Sequence, residues 1–199
     1  MRIKICNTAS RLFLKYGIRA VSVEDICSEL RISKKTFYQY FSSKEDLISF
    51  SLDTLEEKRV QFFSELVEGK DAILAQISLS REVRKNIDSA PELMLKDLEK
   101  YYPEIYKQKK ANHDQSVMDF TRKNVEKGIQ EGLYRQDLDA DFIAVIYNAQ
   151  VHSVFETLYN FDKKKFPKKR LMDFFFDLYF RMVVNEKGRA YYLENYQMS

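Results

Sequence analysis

Apolar residues between positions 21 and 41 recur at the spacing of two short helices separated by a tight turn. The first helix has one apolar face, formed by Val23, Ile26, Cys27 and Leu30. The second repeats that spacing with Phe37, Tyr40 and Phe41. Ser22 and Ser33 occupy the N-cap positions, where a side-chain oxygen accepts a free backbone N–H. Two helices this short cannot bury a core alone, so the pattern predicts a helix-turn-helix packed on a third helix.

The rest of the chain also shows helical spacing. Residues 2–16 form a helix that ends at Gly17, a residue type common just beyond a helix C-terminus. A longer helix begins near Ser42 or Ser43, with a capping box between Ser42 and Glu45, and is expected to connect two domains. Further helical segments are predicted at 71–88, 90–100, 103–132, 142–155 and 171–184. With only 5 glycines and 3 prolines in 199 residues, the predicted fold class is all-α.

Positive charge is concentrated near the N-terminus. Residues 1–50 hold nine Lys and Arg against five Asp and Glu, a net charge of +4 within a chain total of +3, so the remainder carries −1. Lys34 and Lys35 occupy the first turn of the second short helix, where the helix dipole disfavours cations. Together with Ser33 and Thr36 they are unfavourable for starting a helix, but their side chains suit contacts to phosphates and base edges. A solvated basic helix start is the alternative.

This pattern resembles the DNA-binding domain of the TetR family of bacterial repressors over residues 2–48. The matching positions are Ala9, Leu12, Phe13, Tyr16-Gly17 and the segments 22–26, 33–41 and 43–47. The resemblance implies a three-helix helix-turn-helix domain at 1–48, with its motif at 21–40, and a helical effector-binding and dimerisation domain at 49–199. Arg31 stands where the family often has glycine, at a cost of about 1–2 kcal/mol if the turn is left-handed there. Lys35 stands where the family often has a small residue. It adds a charge at the groove, which concerns the operator sequence and not the mode of binding.

The resemblance also implies a set of DNA-contacting residues. Contacts to phosphates are expected from Ser22, Ser33, Thr36, Tyr38 and Lys44. Contacts to base edges or to the groove wall are expected from Lys34, Lys35 and Gln39, and Tyr40 completes the interface. Tyr38 lies on the helix face opposite Phe37 and Phe41, so its hydroxyl should point outward.

The last two strongly apolar segments predict self-association. Phe142–Phe155 contains no charged residue and is expected to be buried on most faces. Residues 171–184 are rich in aromatics, with Asp173, Asp177 and Arg181 marking a narrow solvent-exposed stripe. Together the segments hold more apolar surface than one core requires, although an ordinary monomer core is the alternative. The resemblance favours a homodimer, for which we expect an interface of Tyr147, Val151, Val154, Leu158, Phe174 and Leu178.

Four residues of the second domain are candidates for a ligand pocket: Phe120, Tyr147, His152 and Phe155. They combine apolar walls with a few polar tips, as pockets usually do, and they could equally belong to the core. The scarcity of buried charge favours a small apolar or amphipathic effector that is uncharged or weakly polar. His113 and His152 lie on different helices without an obvious third ligand, so neither a metal site nor a cofactor is predicted.

The sequence contains no Ser-His-Asp order, glycine-rich phosphate loop or HExxH motif, so an enzyme is not predicted. Cys6 and Cys27 form no disulfide framework, and no stretch approaches about 18 apolar residues, so we expect a cytoplasmic protein without a membrane segment. These features predict a ligand-responsive repressor that binds an inverted-repeat operator in double-stranded DNA as a dimer. The alternative is a DNA-binding regulator whose second domain recruits a protein partner and senses no small molecule.

Overall fold

The computed structural model describes residues 1–89, 91–160 and 166–195, apart from the side chains of residues 89, 155 and 157–160. Within these residues the regular structure is helical, and the one extended pairing is an isolated antiparallel bridge between Tyr134 and Val184. The predicted all-α fold is confirmed.

Ten α-helices follow one another along the described residues. Their bounds are α1 Arg2–Tyr16, α2 Val23–Leu30, α3 Lys34–Tyr38, α4 Lys44–Val67, α5 Ala72–Asn86, α6 Glu92–Tyr101, α7 Pro103–Gln130, α8 Ala140–Asn160, α9 Lys168–Val183 and α10 Glu186–Asn195. A short 3-10 helix, Ile87–Ser89, follows α5. The sequence analysis does not predict α10, although Asn185 marks its start. The Asn185 side-chain oxygen accepts the Gly188 N–H at 2.9 Å, which is an N-cap bond.

Packing divides the chain into two compact units, and α4 and α7 each contribute residues to both. The first unit contains Met1–Val60 and Pro91–His113, and the second contains Gln61–Ala90 and Asp114–Ser199. The packing therefore adds α6 and the beginning of α7 to the N-terminal helices. The functional division at residue 48 stays a prediction.

The first unit has a core shared by α1, α2, α3, α6 and the start of α4. Its buried side chains include Ile5, Ala9, Phe13, Ile18, Ile26, Phe37, Phe41, Leu47 and Ile48. The close approach of α6 explains Gly17, whose φ is +82°, because a Cβ there would lie 2.5 Å from Asp97 Oδ2. The same carboxylate oxygen accepts the Arg19 N–H at 2.9 Å, so α6 holds the chain where it leaves α1.

The start of α4 is capped one residue later than predicted. Ser43 Oγ accepts the Asp46 N–H at 3.1 Å, and Asp46 Oδ2 accepts the Ser42 N–H at 2.8 Å. The predicted capping box between Ser42 and Glu45 is therefore wrong. Both pairs have the spacing of a capping box, and the pattern alone does not distinguish which serine precedes the first helical turn.

Aromatic side chains fill the core of the second unit. Phe180 of α9 stacks on Tyr192 of α10 with ring centroids 4.2 Å apart, and Tyr147 of α8 meets Tyr179 of α9 edge-on at 4.9 Å. The predicted solvent-exposed stripe of α9 is wrong at Asp173, which is 7% exposed. Its carboxylate is buried because it pairs with Arg84 of α5 at 2.9 Å.

Helix α8 is buried on one face only. Ile143 and Tyr147 point into the core, whereas Phe142, Val145 and Ile146 are 69%, 57% and 43% exposed. The prediction that this segment is buried on most faces is therefore wrong for the single chain. A run without charge does not distinguish a helix enclosed by its own core from one with an apolar face on the surface.

Candidate nucleic-acid interface

Ser22 and Asp25 close a capping box at the start of α2. The Ser22 hydroxyl donates to Asp25 Oδ2 at 2.6 Å, and Ser22 Oγ accepts the Asp25 N–H at 3.1 Å. Hydrogen bonds from Ser22 lower the pKa of the Asp25 carboxyl, which keeps this acceptor charged. The single hydroxyl proton of Ser22 is thus used within the cap. The hydroxyl of Ser22 therefore positions α2, and the phosphate contact of Ser22 stays a prediction.

The turn between α2 and α3 places Arg31 in the left-handed region, with φ 54° and ψ 44°. Among the described residues other than glycine, it alone has a positive φ. The Ile32 N–H donates to the Cys27 carbonyl oxygen at 3.0 Å, which closes the turn at the end of α2. The turn does require a left-handed residue, so Arg31 carries the steric cost of about 1–2 kcal/mol expected from the sequence.

Helix α3 is anchored by Phe37, whose side chain is fully buried. Its ring lies 5.9 Å from that of Phe41, centroid to centroid, and Phe41 lies 5.5 Å from Phe50 of α4. On the other side of α3, Tyr38 is 54% exposed, as its predicted outward orientation requires. The core contact of Phe37 therefore fixes which face of α3 is presented to solvent.

Tyr40 does not share the buried face of Phe37 and Phe41 that its spacing predicts. It is 39% exposed, because α3 ends at Tyr38 with Gln39 as its C-cap and the helical spacing stops there. That part of the prediction is wrong. The exposure of Tyr40 is compatible with its other predicted role, a contact to DNA.

The first turn of α3 contains a pair of hydroxyls. Ser33 Oγ accepts the Thr36 N–H at 3.0 Å and also lies 3.0 Å from Thr36 Oγ1. Whichever hydroxyl donates in that second contact, the other keeps its proton. One hydroxyl proton of the pair therefore stays available at the exposed N-terminus of α3.

The two lysines of α3 differ in their surroundings. Lys34 forms an ion pair with Glu24 of α2, and both side chains are more than half exposed. Lys35 is exposed and has no ion-pair partner in the part of the chain that the structure describes. An exposed ion pair contributes about 0–1 kcal/mol, so Lys34 can exchange its carboxylate for another anion at little cost.

Lys44 is partly buried at the start of α4. Its Nζ donates to the Ile18 carbonyl oxygen at 2.7 Å, in the loop after α1. Desolvation lowers the pKa of the Lys44 ammonium, while Glu45, Asp97 and Asp25 act in the opposite direction. An ammonium has three donors, so two remain after this bond. Lys44 thus has a structural contact that the sequence does not predict, in addition to its predicted role at a phosphate.

None of the nine residues predicted to contact DNA is buried. Six are exposed: Ser33, Lys34, Lys35, Tyr38, Gln39 and Tyr40. Three are half-buried: Ser22, Thr36 and Lys44. All nine belong to the first unit, on α3, directly after it, or at the starts of α2, α3 and α4.

The residues predicted to line a ligand pocket are distributed over the second unit. Tyr147 is 4% exposed, and its hydroxyl accepts the Gln76 Nε2–H at 3.2 Å. His152 Nε2 lies 2.7 Å from Asp114 Oδ1, and Phe120 is half-buried. The side chain of Phe155 lies outside the described residues.

Two buried polar groups, one on α8 and one on α9, are not predicted from the sequence. Tyr179 Oη and Asn148 Oδ1 are buried without a hydrogen-bond partner in the described structure. Tyr179 lies between Asp177 and Arg181 in sequence, within the aromatic-rich segment. Tyr179 does not share the helix face of Asp177 and Arg181, and this spacing could have predicted that it is buried in the core.

The predicted dimer residues fall into two groups. Phe174 and Leu178 of α9 are 50% and 64% exposed, whereas Val151 and Val154 of α8 are half-buried against the core of the second unit. Tyr147 is packed among core aromatics and is not on the exposed surface of the single chain, so its role at an interface stays a prediction. The side chain of Leu158 lies outside the described residues. Phe142, Val145 and Ile146 are exposed on α8 and are not among the predicted interface residues.

Three further features of the described residues concern metal binding, membrane spans and cysteines. Within residues 1–89, 91–160 and 166–195, no group of three or more His, Cys, Asp or Glu side chains could hold a metal ion. Among the described helices, none is long and apolar enough to cross a membrane. Cys6 and Cys27 are buried free thiols, and burial raises the pKa of the Cys27 thiol.

An anchored short helix after a tight turn, with hydroxyls and lysines exposed at its start, defines a helix-turn-helix DNA-binding protein. Residues 5–49 match the family model described as "Bacterial regulatory proteins, tetR family". The HTH-type transcriptional regulator UidR of Escherichia coli K12 is 27% identical over 142 residues, which cover 69% of this chain and 71% of UidR. Residues 5–49 thus form a DNA-binding domain of the TetR type, and the similarities support a TetR-family DNA-binding transcriptional regulator.

Solved structures share the fold along nearly the whole chain. A transcriptional regulator from Cytophaga hutchinsonii aligns with a TM-score of 0.77 at 16% identity, covering 91% of this chain and 97% of that one. A regulator from Saccharomonospora viridis, solved in complex with choline, aligns with a TM-score of 0.69 at 22% identity, covering 93% of this chain and 98% of that one. At these identities the likeness concerns the fold alone.

Proposed function

We propose that the protein is a ligand-responsive repressor that binds an inverted-repeat operator as a homodimer. The observation that carries the proposal is the orientation of α3: Phe37 is fully buried, and the opposite face presents Lys35, Tyr38 and Gln39 to solvent. A helix held in this way can enter the major groove of DNA while the other helices support it.

The interface residues divide into two groups by chemistry. Hydroxyl and ammonium groups at helix starts suit phosphates, which position the protein without reading sequence. We assign this role to Ser33, Thr36, Tyr38 and Lys44. Lys34, Lys35 and Gln39 have donors that suit base edges, since lysine pairs with guanine and glutamine with adenine. Tyr40 lies at the margin of this surface.

The dimer is proposed to form through the exposed apolar faces of α8 and α9. These faces present Phe142, Val145, Ile146, Phe174 and Leu178. Exposed aromatic and aliphatic side chains on adjacent helices favour association, because burying them removes apolar surface from water. A two-fold dimer presents two copies of α3, which explains why an inverted-repeat operator is expected.

Effector sensing is assigned to the second unit. Its interior combines aromatic walls with Tyr147, Tyr179 and Asn148, and two of these three groups have a buried polar atom without a partner. The choline complex of the Saccharomonospora viridis regulator is a case of this fold holding a small organic molecule. Because operator binding needs two recognition helices at one separation, a coupling of about 1–3 kcal/mol would change affinity roughly 5–150-fold.

The test is selection of bound duplexes from a random DNA pool with the full chain. The proposal predicts enrichment of one inverted repeat whose half-sites lie about one helical turn apart or slightly more. Enrichment of a single asymmetric site would contradict the dimeric mode, and no enrichment would contradict sequence-specific binding. If the operator is found but no small molecule releases it, recruitment of a protein partner becomes the better account of the second unit.

A further inference from the structure

Three buried tyrosines of the second unit differ in how their hydroxyls are bonded. Tyr134 donates to Asn124 Oδ1 at 3.0 Å, and Tyr147 accepts from Gln76 Nε2 at 3.2 Å. Tyr179, which is 1% exposed, has no hydrogen-bond partner within the described residues. Buried polar groups in proteins are normally paired, so the Tyr179 hydroxyl requires an explanation.

Tyr147 and Tyr179 are close neighbours on α8 and α9. Their ring centroids are 4.9 Å apart, and the ring of Tyr147 also lies 5.4 Å from Phe175. The bond from Gln76 uses a lone pair of the Tyr147 oxygen, so the hydroxyl proton of Tyr147 has no acceptor among the described residues. Two hydroxyl donors therefore lie in one aromatic region, and neither has an acceptor among the residues that the structure describes.

The charge of these groups limits what they can bind. Burial raises the pKa of both hydroxyls, so at neutral pH each is a protonated donor. The groups that influence the pKa of Tyr179 besides burial are two other tyrosines, Tyr134 and Tyr147, and no cation is among them. A buried carboxylate would thus lack a counter-charge, and an ammonium would likewise meet no carboxylate among these groups.

We propose that Tyr179 and Tyr147 donate hydrogen bonds to the carbonyl oxygen of an uncharged, otherwise apolar effector held among α5, α8 and α9. The inference rests on the proposed effector-sensing function and adds a chemical class to it. A carbonyl oxygen has two lone pairs and accepts two donors, whereas the surrounding aromatic rings suit the apolar remainder of such a molecule.

The experiment uses ketones paired with hydrocarbons of the same shape. The probes are acetophenone with cumene, and cyclohexyl methyl ketone with isopropylcyclohexane. The readouts are the Tm of the free full-length protein and the release of the selected operator. We expect each ketone to raise Tm and release the operator at a concentration at least about tenfold lower than its hydrocarbon, because the hydrocarbon leaves the buried tyrosine donors unpaired.

Tyr179→Phe separates a ligand contact from a structural one. Without a probe it should raise Tm, because it removes an unpaired buried hydroxyl and keeps the ring. It should also remove most of the preference for the ketones. Tyr134→Phe is the matched control: it breaks a satisfied bond, so it should lower Tm and leave the preference for the ketones intact.

Three results would overturn the inference. Tyr179→Phe could lower Tm, which would mean that the hydroxyl has a structural partner or a bound water. The ketones and hydrocarbons could act equally, or neither could change Tm. In each case wild-type binding to the operator without a probe still tests the proposed function, so the two failures are distinguishable.

Discussion

The Lys44 ammonium donates to the Ile18 carbonyl oxygen at 2.7 Å, and this bond joins the start of α4 to the loop after α1. The same side chain is proposed to contact a phosphate. Lys44→Met should therefore have two effects. It should lower the free energy of unfolding by about 1.5–3 kcal/mol, the value of a hydrogen bond to a charged group. It should also reduce the slope of log K against log salt by about 1 per subunit, about 2 for a dimer.

Chemical denaturation and salt titration of operator binding measure these effects separately. Lys44→Arg keeps the charge and should retain most of the salt slope. If Lys44→Met loses stability with an unchanged slope, the residue is structural only and does not belong to the DNA surface.

Arg31→Gly should stabilise the protein by about 1 kcal/mol, because glycine adopts the observed φ of 54° without the steric cost of a Cβ. Arg31→Ala is the matched control, since it removes the guanidinium but keeps the Cβ. Urea denaturation of both variants provides the measurement. Equal stabilities for the glycine and alanine variants would show that this turn carries no left-handed strain.

Glu24→Gln should strengthen binding to DNA of any sequence. The change removes a negative charge beside α3 and frees Lys34 from its ion pair. A gain in DNA affinity of about two- to fivefold per subunit corresponds to the upper part of the free-energy range of an exposed ion pair. Fluorescence anisotropy with specific and random duplexes measures it. Glu99→Gln on α6 makes the same change in charge at another exposed position, and an equal gain there would assign the effect to net charge alone.

Leu178→Glu should convert the proposed dimer to monomers. It places a charge on an apolar side chain that is 64% exposed on α9. Leu193→Glu on α10 is the control, because Leu193 is 57% exposed but lies outside the proposed α8 and α9 surface. Analytical ultracentrifugation measures the mass of each. A monomeric wild type, or a dimer that persists with Leu178→Glu, would place the interface elsewhere or remove it.

Much of the first unit follows from local sequence rules. The caps at Ser22 and Ser33 and the helix end at Gly17 depend on contacts within a few residues, and the structure contains all three. Phe37 could be placed in the core because helical spacing relates it to Phe41. The same spacing puts Tyr40 on the buried face, and this is wrong because α3 ends after five residues, which the spacing does not reveal.

Contacts between distant residues are what the sequence analysis misses. The bond from Lys44 to Ile18 spans 26 positions, and the pair of Arg84 with Asp173 spans 89. The sequence classified Asp173 as solvent-exposed because a charged residue is normally so, and only a partner on another helix makes its burial tolerable. Tyr179 is a similar case, because the lack of a bond is visible only when all neighbours are placed.

Helix α3 is proposed to read DNA sequence as part of a two-fold dimer. Repeating the selection from random duplexes with Lys35→Ala tests this directly, with Lys96→Ala of α6 as the control. We expect Lys35→Ala to alter the preferred base at two symmetry-related positions of the inverted repeat, while Lys96→Ala selects the wild-type sequence. Identical preferences for Lys35→Ala and the wild type at every position, with affinity lowered equally for all sequences, would contradict base reading by this face of α3.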